Sequence, residues 1–451
     1  MKAKRGFVPL VAVSLGVALA CLPGPRSVKT NPAVEAEKQR PDFDGRINKH
    51  SREMLEEGRK IFRYDTFGSE DFWGGKLRLH EAILGEKLGG VGAGLTPKGA
   101  LEAGLKVDTG QLAKILVEAI KGGSVSLESP ETTLELLRAD SVVGVKGIFD
   151  KDKRMVSIGI QCAFCHSTVD DSLAKGMGSR LDGWPNRDLN VGAIVAMAPT
   201  LKPFADLLGV DEATVRKVLT SWGPGRYDAE LSQDGKAFRP DGKTAATLLP
   251  AAFGLAGVNL HTYSGWGSVT HWNAYVAVTQ MHGKGTFFDP RLNDPERFPI
   301  AARNRHGNIR NNPDLVTSKL AALHYYQLSI PAPEPPEGSF DKAAAARGKL
   351  VFAGKGRCAT CHVPPIFTEP GWAMHSADEM GIDDFHASRS PDKKFYRTTP
   401  LKGLFVREKG GFYHDGRFAD LTAVVGHYTR VLGLTLTESE KADLVQYLKS
   451  L

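Results

Sequence analysis

Apolar residues recur at helical spacing in several segments of the chain. Over 51–63 the apolar positions share one face and acidic residues occupy the first turns, which predicts a helix. Residues 97–121 are also predicted to be helical. Near the C-terminus, Thr437-Glu-Ser-Glu440 fits a capping box and precedes further apolar residues on one face, so the last segment is predicted to be a helix as well.

Two short apolar runs predict strands instead. Residues 142–149 and 155–160 flank the charged segment Asp150-Lys-Asp-Lys-Arg154, and this order is typical of a β-hairpin. The segment Ile330-Pro-Ala-Pro-Glu-Pro-Pro-Glu-Gly338 contains too much proline for either element and predicts a stiff linker.

The N-terminus has the pattern of an export signal. Three basic residues precede an apolar run over 7–20 that is short for a membrane span, and Ala18-Leu19-Ala20 fits a cleavage site. We therefore expect a signal peptide over 1–20, a polar tether over 21–50 and a periplasmic protein; an uncleaved anchor is the alternative. Cys21 directly follows the cleavage site and is a candidate lipid anchor in the inner or outer membrane, although Ala18 stands where lipoprotein signals usually carry Leu.

Charge excludes one class of partner. The formal net charge is +7, but the basic residues are spread along the chain without a block of interleaved aromatics. Nucleic-acid binding is therefore not expected.

The cysteines carry the clearest chemical signal. Of five cysteines, four form two Cys-x-x-Cys pairs, at 162–165 and 358–361, and a histidine follows each pair at once. Two disulfides would not need the histidines, and a zinc site would favour four clustered cysteines, whereas these pairs lie far apart in the chain. Cys-x-x-Cys-His is typical of covalent haem attachment: two thiols add to the haem vinyl groups and the histidine binds the iron.

The motifs thus predict two covalently bound haems c. Cys162, Cys165 and His166 would hold the first, and Cys358, Cys361 and His362 the second. A short repeat supports two related domains: Gly-Lys-Leu-Val-Phe ends the segment 341–352, and Gly-Arg-Lys-Ile-Phe occupies 58–62. The match is short enough that chance similarity is the alternative.

These observations predict a mainly α protein with two cytochrome c-like domains, the first with a long insertion containing a β-hairpin. The predicted N-terminal haem domain covers 51–329, the linker 330–339 and the C-terminal cytochrome c domain 340–451. The insertion is inferred from spacing, because Cys358 comes six residues after Phe352, whereas Cys162 comes one hundred residues after Phe62.

The segment from Arg397 to Tyr428 contains Arg-Thr-Thr-Pro-Leu and, further on, Gly-Phe-Tyr-His-Asp-Gly followed by a short helix. Here the chain resembles the bacterial di-haem cytochrome c peroxidase and MauG superfamily, most strongly over 340–451. The resemblance implies a second iron ligand 14 residues beyond His414, a Met in peroxidases and a Tyr in the MauG type. Tyr428 stands there; His427, a methionine (Met374 or Met380) or no ligand are the alternatives.

The first haem has no such nearby ligand. No histidine occurs between His166 and His261, and Met177 and Met197 are the local sulfurs, so an open iron that reacts with hydrogen peroxide or oxygen is expected. His261, His271 or His282 could still return to it in space. The candidate acid–base and polar groups are Gln280, His271 and His282, each of which also has a purely structural interpretation.

Other residues near the first motif have weaker interpretations. The segment 180–192 is rich in groups that could bond haem propionates, and Trp184 or Trp266 could lie between the haems. Relatives carry Thr-x-Pro before the Tyr-Phe-His segment to help hold calcium, whereas this chain has Lys409-Gly-Gly411, which argues against calcium.

The resemblance implies a peroxidase-like oxidoreductase that reduces hydrogen peroxide at the first haem with electrons passed through the second. A small redox protein or another donor would supply the electrons. The alternatives are an electron-transfer cytochrome with both irons six-coordinate, and a di-haem oxygenase.

Overall fold

The computed structural model describes residues 42–392 and 394–451. The predicted signal peptide, Cys21 and most of the predicted tether lie outside these residues, so the export signal and the lipid anchor stay predictions. The chain divides into two compact units, Met1–His50 and Ser51–Leu451, and the second contains both Cys-x-x-Cys-His motifs. In the described part of the chain, no helix combines the length and apolar character needed to cross a membrane.

The described residues are mainly helical, as predicted. The α-helices are Phe43–Tyr64, Leu79–Leu84, Pro97–Glu102, Lys114–Lys121, Pro130–Arg138, Ala163–His166, Val191–Ala196, Lys202–Leu208, Glu212–Trp222, Leu231–Asp234, Val269–Thr279, Pro299–Arg303, Leu320–Ser329, Lys342–Ala353, Phe385–Ser388, Leu404–Arg407, Leu421–Val431 and Glu438–Lys449. A π-helical turn covers Asp71–Lys76, and 3₁₀ turns cover Glu86–Leu88, Thr109–Gln111, Pro290–Asn293, Thr317–Lys319 and Cys358–Thr360.

The described strands are short and form pairs only. The antiparallel pairs are Val145–Phe149 with Met155–Ile160, Ser167–Val169 with Arg180–Asp182, Arg226–Tyr227 with Thr247–Leu248, Thr286–Phe288 with Asn308–Arg310, and His375–Ser376 with Phe395–Tyr396. Val107–Asp108 pairs in parallel with Met177–Gly178. The first of these pairs confirms the predicted hairpin, which leads directly into the Cys162 motif.

The capping-box prediction is confirmed, whereas the single helix over 97–121 is wrong. Thr437 and Glu440 exchange side-chain-to-backbone hydrogen bonds at the start of Glu438–Lys449. At 97–121 two helices are separated at Gly104, which has φ +87° and touches the backbone of Asp188, where a Cβ atom would lie 2.1 Å from the carbonyl oxygen. The left-handed turn that only glycine makes easily ends the first helix.

Two helix pairs pack in the same way. The helix Phe43–Tyr64 meets Leu320–Ser329 at Gly58, where a Cβ atom would lie 2.0 Å from the carbonyl oxygen of Ala322. The helix Lys342–Ala353 meets Glu438–Lys449 at Gly348, where a Cβ atom would lie 2.0 Å from the carbonyl oxygen of Asp443. In each pair the glycine lets two backbones touch, which a side chain would prevent.

The aromatic contacts of the two pairs also correspond. The ring of Phe62 lies 5.7 Å from that of Tyr326, and the ring of Phe352 lies 5.2 Å from that of Tyr447. Each phenylalanine follows its glycine by four residues, one turn along the helix. The sequence repeat therefore extends to the packing of both segments.

Three large groups of buried apolar side chains hold the second unit together. The largest lies mostly in the predicted insertion and includes Phe164. The second includes Ala163 together with Trp272 and Tyr275, and the third lies within Val351–Leu451. The first Cys-x-x-Cys-His motif thus lies between two cores. The Pro-rich linker runs inside the second unit without helix or strand over 330–335, and the predicted domain boundaries stay predictions.

Candidate functional site

The four motif cysteines are free thiols, and Cys162, Cys165 and Cys358 pack against buried apolar side chains. Burial raises the pKa of Cys162 and of Cys165 to about 12, and that of Cys358 to about 11. Such thiols are not ionised at neutral pH, which argues against their acting as a thiolate metal site in this form. No disulfide joins them, so the motifs remain available for other covalent chemistry.

Both motif histidines present the same nitrogen to a backbone carbonyl. The Nδ1 atom of His166 lies 3.2 Å from the carbonyl oxygen of Pro250, and the Nδ1 atom of His362 lies 3.0 Å from that of Phe367. A carbonyl oxygen can only accept, so each Nδ1 carries the proton and each Nε2 keeps its lone pair. Burial also lowers the pKa of both imidazoles, to about 4 for His166. A neutral imidazole whose Nε2 keeps its lone pair can bind a metal.

A cavity of about 250 Å³ opens beside the second motif. Cys358, Cys361 and His362 line it, together with Tyr413 and Tyr428. The cavity is apolar over most of its remaining wall, as expected for a cofactor site.

The four candidate ligands of the second motif are distributed unequally around this cavity. Tyr428 and Met380 line it, whereas His427 and Met374 do not. The Nε2 atom of His427 instead lies 2.8 Å from the carbonyl oxygen of Met380. Tyr428 and Met380 therefore stay candidate iron ligands, whereas His427 contacts a backbone carbonyl oxygen instead.

Four arginines also line the cavity: Arg357 is exposed, whereas Arg187 is buried and Arg397 and Arg407 are half-buried. Burial lowers the pKa of Arg397 and of Arg407 to about 10. The charge of Arg407 lowers the pKa of Arg397 further, whereas Tyr263 raises the pKa of both arginines. The hydrogen bonds of Arg187, Arg397 and Arg407 go to backbone carbonyls, and the Nε atoms of Arg187 and Arg407 have no partner. Buried guanidinium groups without a carboxylate are costly, which indicates a missing anionic ligand.

The arginine cluster bears on whether a haem fits this cavity. A haem c carries two carboxylates on an otherwise apolar ring. The cavity has two thiols, a histidine that can bind a metal, an apolar wall and guanidinium groups that no carboxylate pairs with. The residues present fit the group. The sequence pattern assigns Arg187 to a propionate-binding segment near the first motif, whereas the structure places its side chain at the second.

The first motif has different surroundings. Tyr227 lies within electrostatic range of the Cys165 thiol, Tyr275, Asp228 and Glu230, and burial raises its pKa. Several buried polar atoms here lack hydrogen-bond partners: Asp228 Oδ2, Glu230 Oε2, both amide atoms of Gln233, the Tyr275 hydroxyl and the indole nitrogens of Trp266 and Trp272. Such a concentration of unsatisfied groups in a native core points to a ligand, water or reaction that uses them.

Glu230 has the most unusual charge state of this group. Arg389 is almost fully buried and pairs with Asp228 and Asp234, at 2.9 Å each, so its charge is already compensated. Burial raises the pKa of Glu230 to about 7; Arg389 lowers it, whereas the neighbouring aspartates raise it. A carboxyl group that titrates near neutrality can both accept and donate a proton.

The three predicted acid–base candidates have the following surroundings. His271 packs edge-on against Trp266, with ring centroids 4.8 Å apart, and faces Asp289 at 3.9 Å. His282 stacks on Phe72 at 3.5 Å, and burial lowers its pKa to about 3. Gln280 has one buried amide nitrogen without a partner. Their roles stay predictions.

Sequence reasoning missed Glu230, Gln233 and Tyr275. The segment Tyr227-Asp-Ala-Glu-Leu-Ser-Gln-Asp234 does show an unusual density of acids and amides. Nothing in that pattern, however, distinguishes a buried acid from a solvated one. The pairing of Arg389 with two of the acids is visible only in three dimensions.

The two tryptophans that are candidates to lie between the haems have different neighbours. Trp184 packs edge-on against Phe405, with ring centroids 5.8 Å apart, and so connects the first-motif region to the C-terminal segment. Trp266 is buried among His271, Trp272 and Tyr275. A bridging role for either tryptophan stays a prediction.

One further group of ligand-type atoms lies near the second motif. Cys361, Glu369 and His375 come within 4.8 Å of one another. Both nitrogens of His375 are engaged, by Glu369 at 2.6 Å and Glu379 at 2.8 Å. Burial opposes the charge, yet these carboxylates raise the pKa of His375, which favours an ion pair over a metal ligand.

Comparison with known proteins agrees with the resemblance found in the C-terminal segment. No family model matches the chain. The methylamine utilization protein MauG of Methylorubrum extorquens is 28% identical to it over 156 residues. The chain resembles the MauG and di-haem peroxidase superfamily. The match covers 29% of this chain and 43% of MauG, so it spans less than half of that relative.

Two solved structures are also similar to this chain. Hydrazine synthase of Kuenenia stuttgartiensis is 16% identical, with 49% of this chain and 86% of that chain covered. A MauG-like protein associated with microbial copper homeostasis is 17% identical, with 51% and 78% covered. The TM-score is 0.27 in both cases.

Proposed function

We propose that the chain is an exported di-haem c-type oxidoreductase that reduces hydrogen peroxide at the first motif with electrons passed through the second. The observation that carries this proposal is the unequal surroundings of two otherwise matched histidines. His362 shares a cavity with Tyr413, Tyr428 and the arginines Arg187, Arg397 and Arg407. The His166 motif instead lies near Glu230, Gln233 and Tyr275, which have buried polar atoms without hydrogen-bond partners.

The residues that would hold each haem are the motif residues. Cys162, Cys165 and His166 would bind one, and Cys358, Cys361 and His362 the other. Bound haem supplies an iron that exchanges single electrons and, where one coordination position is open, takes a peroxide or oxygen ligand. Two cytochrome c-like domains, each closed by a glycine-mediated helix crossing, would carry them.

At the first motif the chain's own side chains would accept and donate protons during the reaction. Reduction of one hydrogen peroxide molecule consumes two electrons and two protons and yields two waters. Glu230, with a pKa of about 7, can take a proton from one peroxide oxygen and return it to the other. Gln233 and Tyr275 offer unpaired donors that can stabilise charge on the leaving oxygen.

At the second motif the chain would hold the electron-transfer haem. Tyr428 and Met380 are the candidates that line the cavity, while His427 is engaged elsewhere. Tyr428 is the proposed sixth ligand, because it stands at the spacing from His414 that the resemblance implies. Arg187, Arg397 and Arg407 would pair with the haem carboxylates. A small redox protein is the proposed electron donor.

Guanidinium groups would replace calcium between the two motif regions. Arg226 donates two hydrogen bonds of 3.0 Å to the carbonyl oxygen of Asp415, and Arg187 donates one of 3.4 Å to that of Lys409. Carbonyl oxygens of this kind are what a calcium ion would need. Guanidinium groups already donate hydrogen bonds to these oxygens here, so we propose that the chain works without calcium.

Stopped-flow measurement of peroxide consumption by the reduced protein tests this function. We expect Glu230→Gln to slow the reaction by about 10²- to 10⁴-fold, the usual contribution of a general acid–base group. His282→Asn serves as the matched variant of a buried candidate outside the group. A wild-type protein that does not consume peroxide would contradict the proposed function, and a loss on His282→Asn without one on Glu230→Gln would return the acid–base role to His282.

A further inference from the structure

Tyr413 occupies a backbone conformation that side chains rarely adopt. Its φ is +69°, in a turn where Gly410 and Gly411 have φ values of +86° and +87°. Glycine would be the least strained residue at all three positions, yet the third carries a tyrosine. A strained non-glycine residue at a cavity wall indicates that its side chain is used there.

The ring of Tyr413 is fixed by aromatic neighbours. It packs edge-on against Phe418, with centroids 4.8 Å apart, and against His427 at 5.9 Å. His427 is itself fastened to the carbonyl oxygen of Met380. The phenol ring therefore has little freedom, and the direction of its hydroxyl group is set.

The ring of Tyr413 also contacts that of Tyr428. The two rings are 6.3 Å apart at 39°, and both line the cavity of the second motif. The Tyr413 hydroxyl is buried and has no hydrogen-bond partner. Of the three rings that contact Tyr413, that of Tyr428 is the one that carries a hydroxyl group, so it is the phenol with which Tyr413 can pair.

We propose that Tyr413 is a positioning residue that donates a hydrogen bond to the oxygen of Tyr428 when Tyr428 binds the second iron. The proposal rests on the proposed function, since it assumes a haem on His362 with Tyr428 as its ligand. A donated hydrogen bond withdraws electron density from the phenolate oxygen, weakens its donation to ferric iron and so raises the reduction potential. Tyr413 would thereby keep the second haem reducible by its electron donor.

Three phenylalanine substitutions in the haem-loaded protein test the proposal: Tyr413→Phe, Tyr428→Phe and Tyr447→Phe. Tyr447 is a buried tyrosine of the same region that packs on Phe352, outside the cavity lining, and serves as the control. The readouts are the electron paramagnetic resonance spectrum and the potential of each haem in a spectroelectrochemical titration.

We expect Tyr413→Phe to leave the second haem six-coordinate and to shift its potential downward, with the first haem unchanged. Tyr428→Phe should remove the ligand and its low-spin signal, and Tyr447→Phe should change neither readout. An unchanged second-haem potential in Tyr413→Phe would overturn the proposal. So would loss of the low-spin signal in Tyr413→Phe with its retention in Tyr428→Phe, because Tyr413 would then be the ligand itself. Peroxide consumption is measured separately, so a failure of the proposed function is distinguished from a failure of this pair.

Discussion

The Nδ1 atom of His166 lies 3.2 Å from the carbonyl oxygen of Pro250, and Pro250 also lines the cavity that contains His362. Pro250 therefore contacts His166 of the first motif and also lines the cavity of the second motif. Ala251 and Phe253 continue the same wall. This segment gives the two motifs a short physical connection that does not depend on Trp184 or Trp266.

Each cysteine pair should attach one haem independently. Replacing Cys162 and Cys165 with serine removes both thioether bonds at one site but leaves the other thiols in place. We expect the covalent haem content to fall from two per chain to one, and the Cys358/Cys361 double variant to give the same value. Pyridine haemochrome analysis measures this content. A chain that keeps two haems after either change would contradict the assignment.

The arginine cluster should set the potential of the second haem. Arg407→Gln and Arg397→Gln each remove a buried positive charge that disfavours the ferric state, so the potential of the second haem should fall in both variants. Arg430 is exposed on the helix that carries Tyr428, and Arg430→Gln is the control. If all three variants kept the wild-type potential in a redox titration, these guanidinium groups would not pair with the haem carboxylates.

Glu230 should give stability a specific pH dependence. Its pKa is near 4.5 in the unfolded chain and is raised to about 7 in the folded protein, so the folded state holds the extra proton between these values. The stabilising contribution is complete below pH 4.5 and is lost as pH rises towards 7, by at most about 3 kcal/mol.

Glu230→Gln should therefore remove part of the pH dependence of the unfolding free energy. Denaturant unfolding at pH 5 and pH 8 measures it, and the exposed Glu135→Gln provides a control that should match the wild-type curve. Parallel curves for wild type and Glu230→Gln would show that Glu230 titrates normally.

The close packing of the two helix pairs should depend on Gly58 and Gly348. In Gly58→Ala and Gly348→Ala the new methyl group meets a carbonyl oxygen at 2.0 Å, and we expect a loss of about 1–3 kcal/mol in unfolding free energy. Gly426 also lies in a helix, but the nearest atom to an added methyl group is the end of the Arg430 side chain at 3.7 Å. Gly426→Ala should be neutral or slightly stabilising. Equal effects at all three positions would mean that close packing is not the cause.

The local elements and the attachment chemistry could be predicted well from the sequence. The hairpin, the C-terminal capping box and the matched segments at Gly58 and Gly348 depend on residue patterns that act over a few positions. The break at Gly104 was missed because it depends on contact with Asp188, far along the chain. Long-range contacts of this kind leave no periodic signal.

The same limit applies to the sites. Tyr428 could be proposed from a fixed spacing, and the structure places it in the cavity with His362. The roles of Glu230 and of the arginine cluster could not be predicted from the sequence, because they depend on the burial of a charged group that has no paired counter-charge. Charge compensation is a property of the folded neighbourhood and not of the adjacent residues.

Electron paramagnetic resonance of the oxidised protein, recorded before and after addition of hydrogen peroxide, distinguishes the roles of the two motifs. We expect one high-spin signal from the first haem and one low-spin signal from the second, with the high-spin signal lost when peroxide is added. Two low-spin signals that peroxide leaves unchanged would contradict these unequal roles and would favour a plain electron-transfer cytochrome.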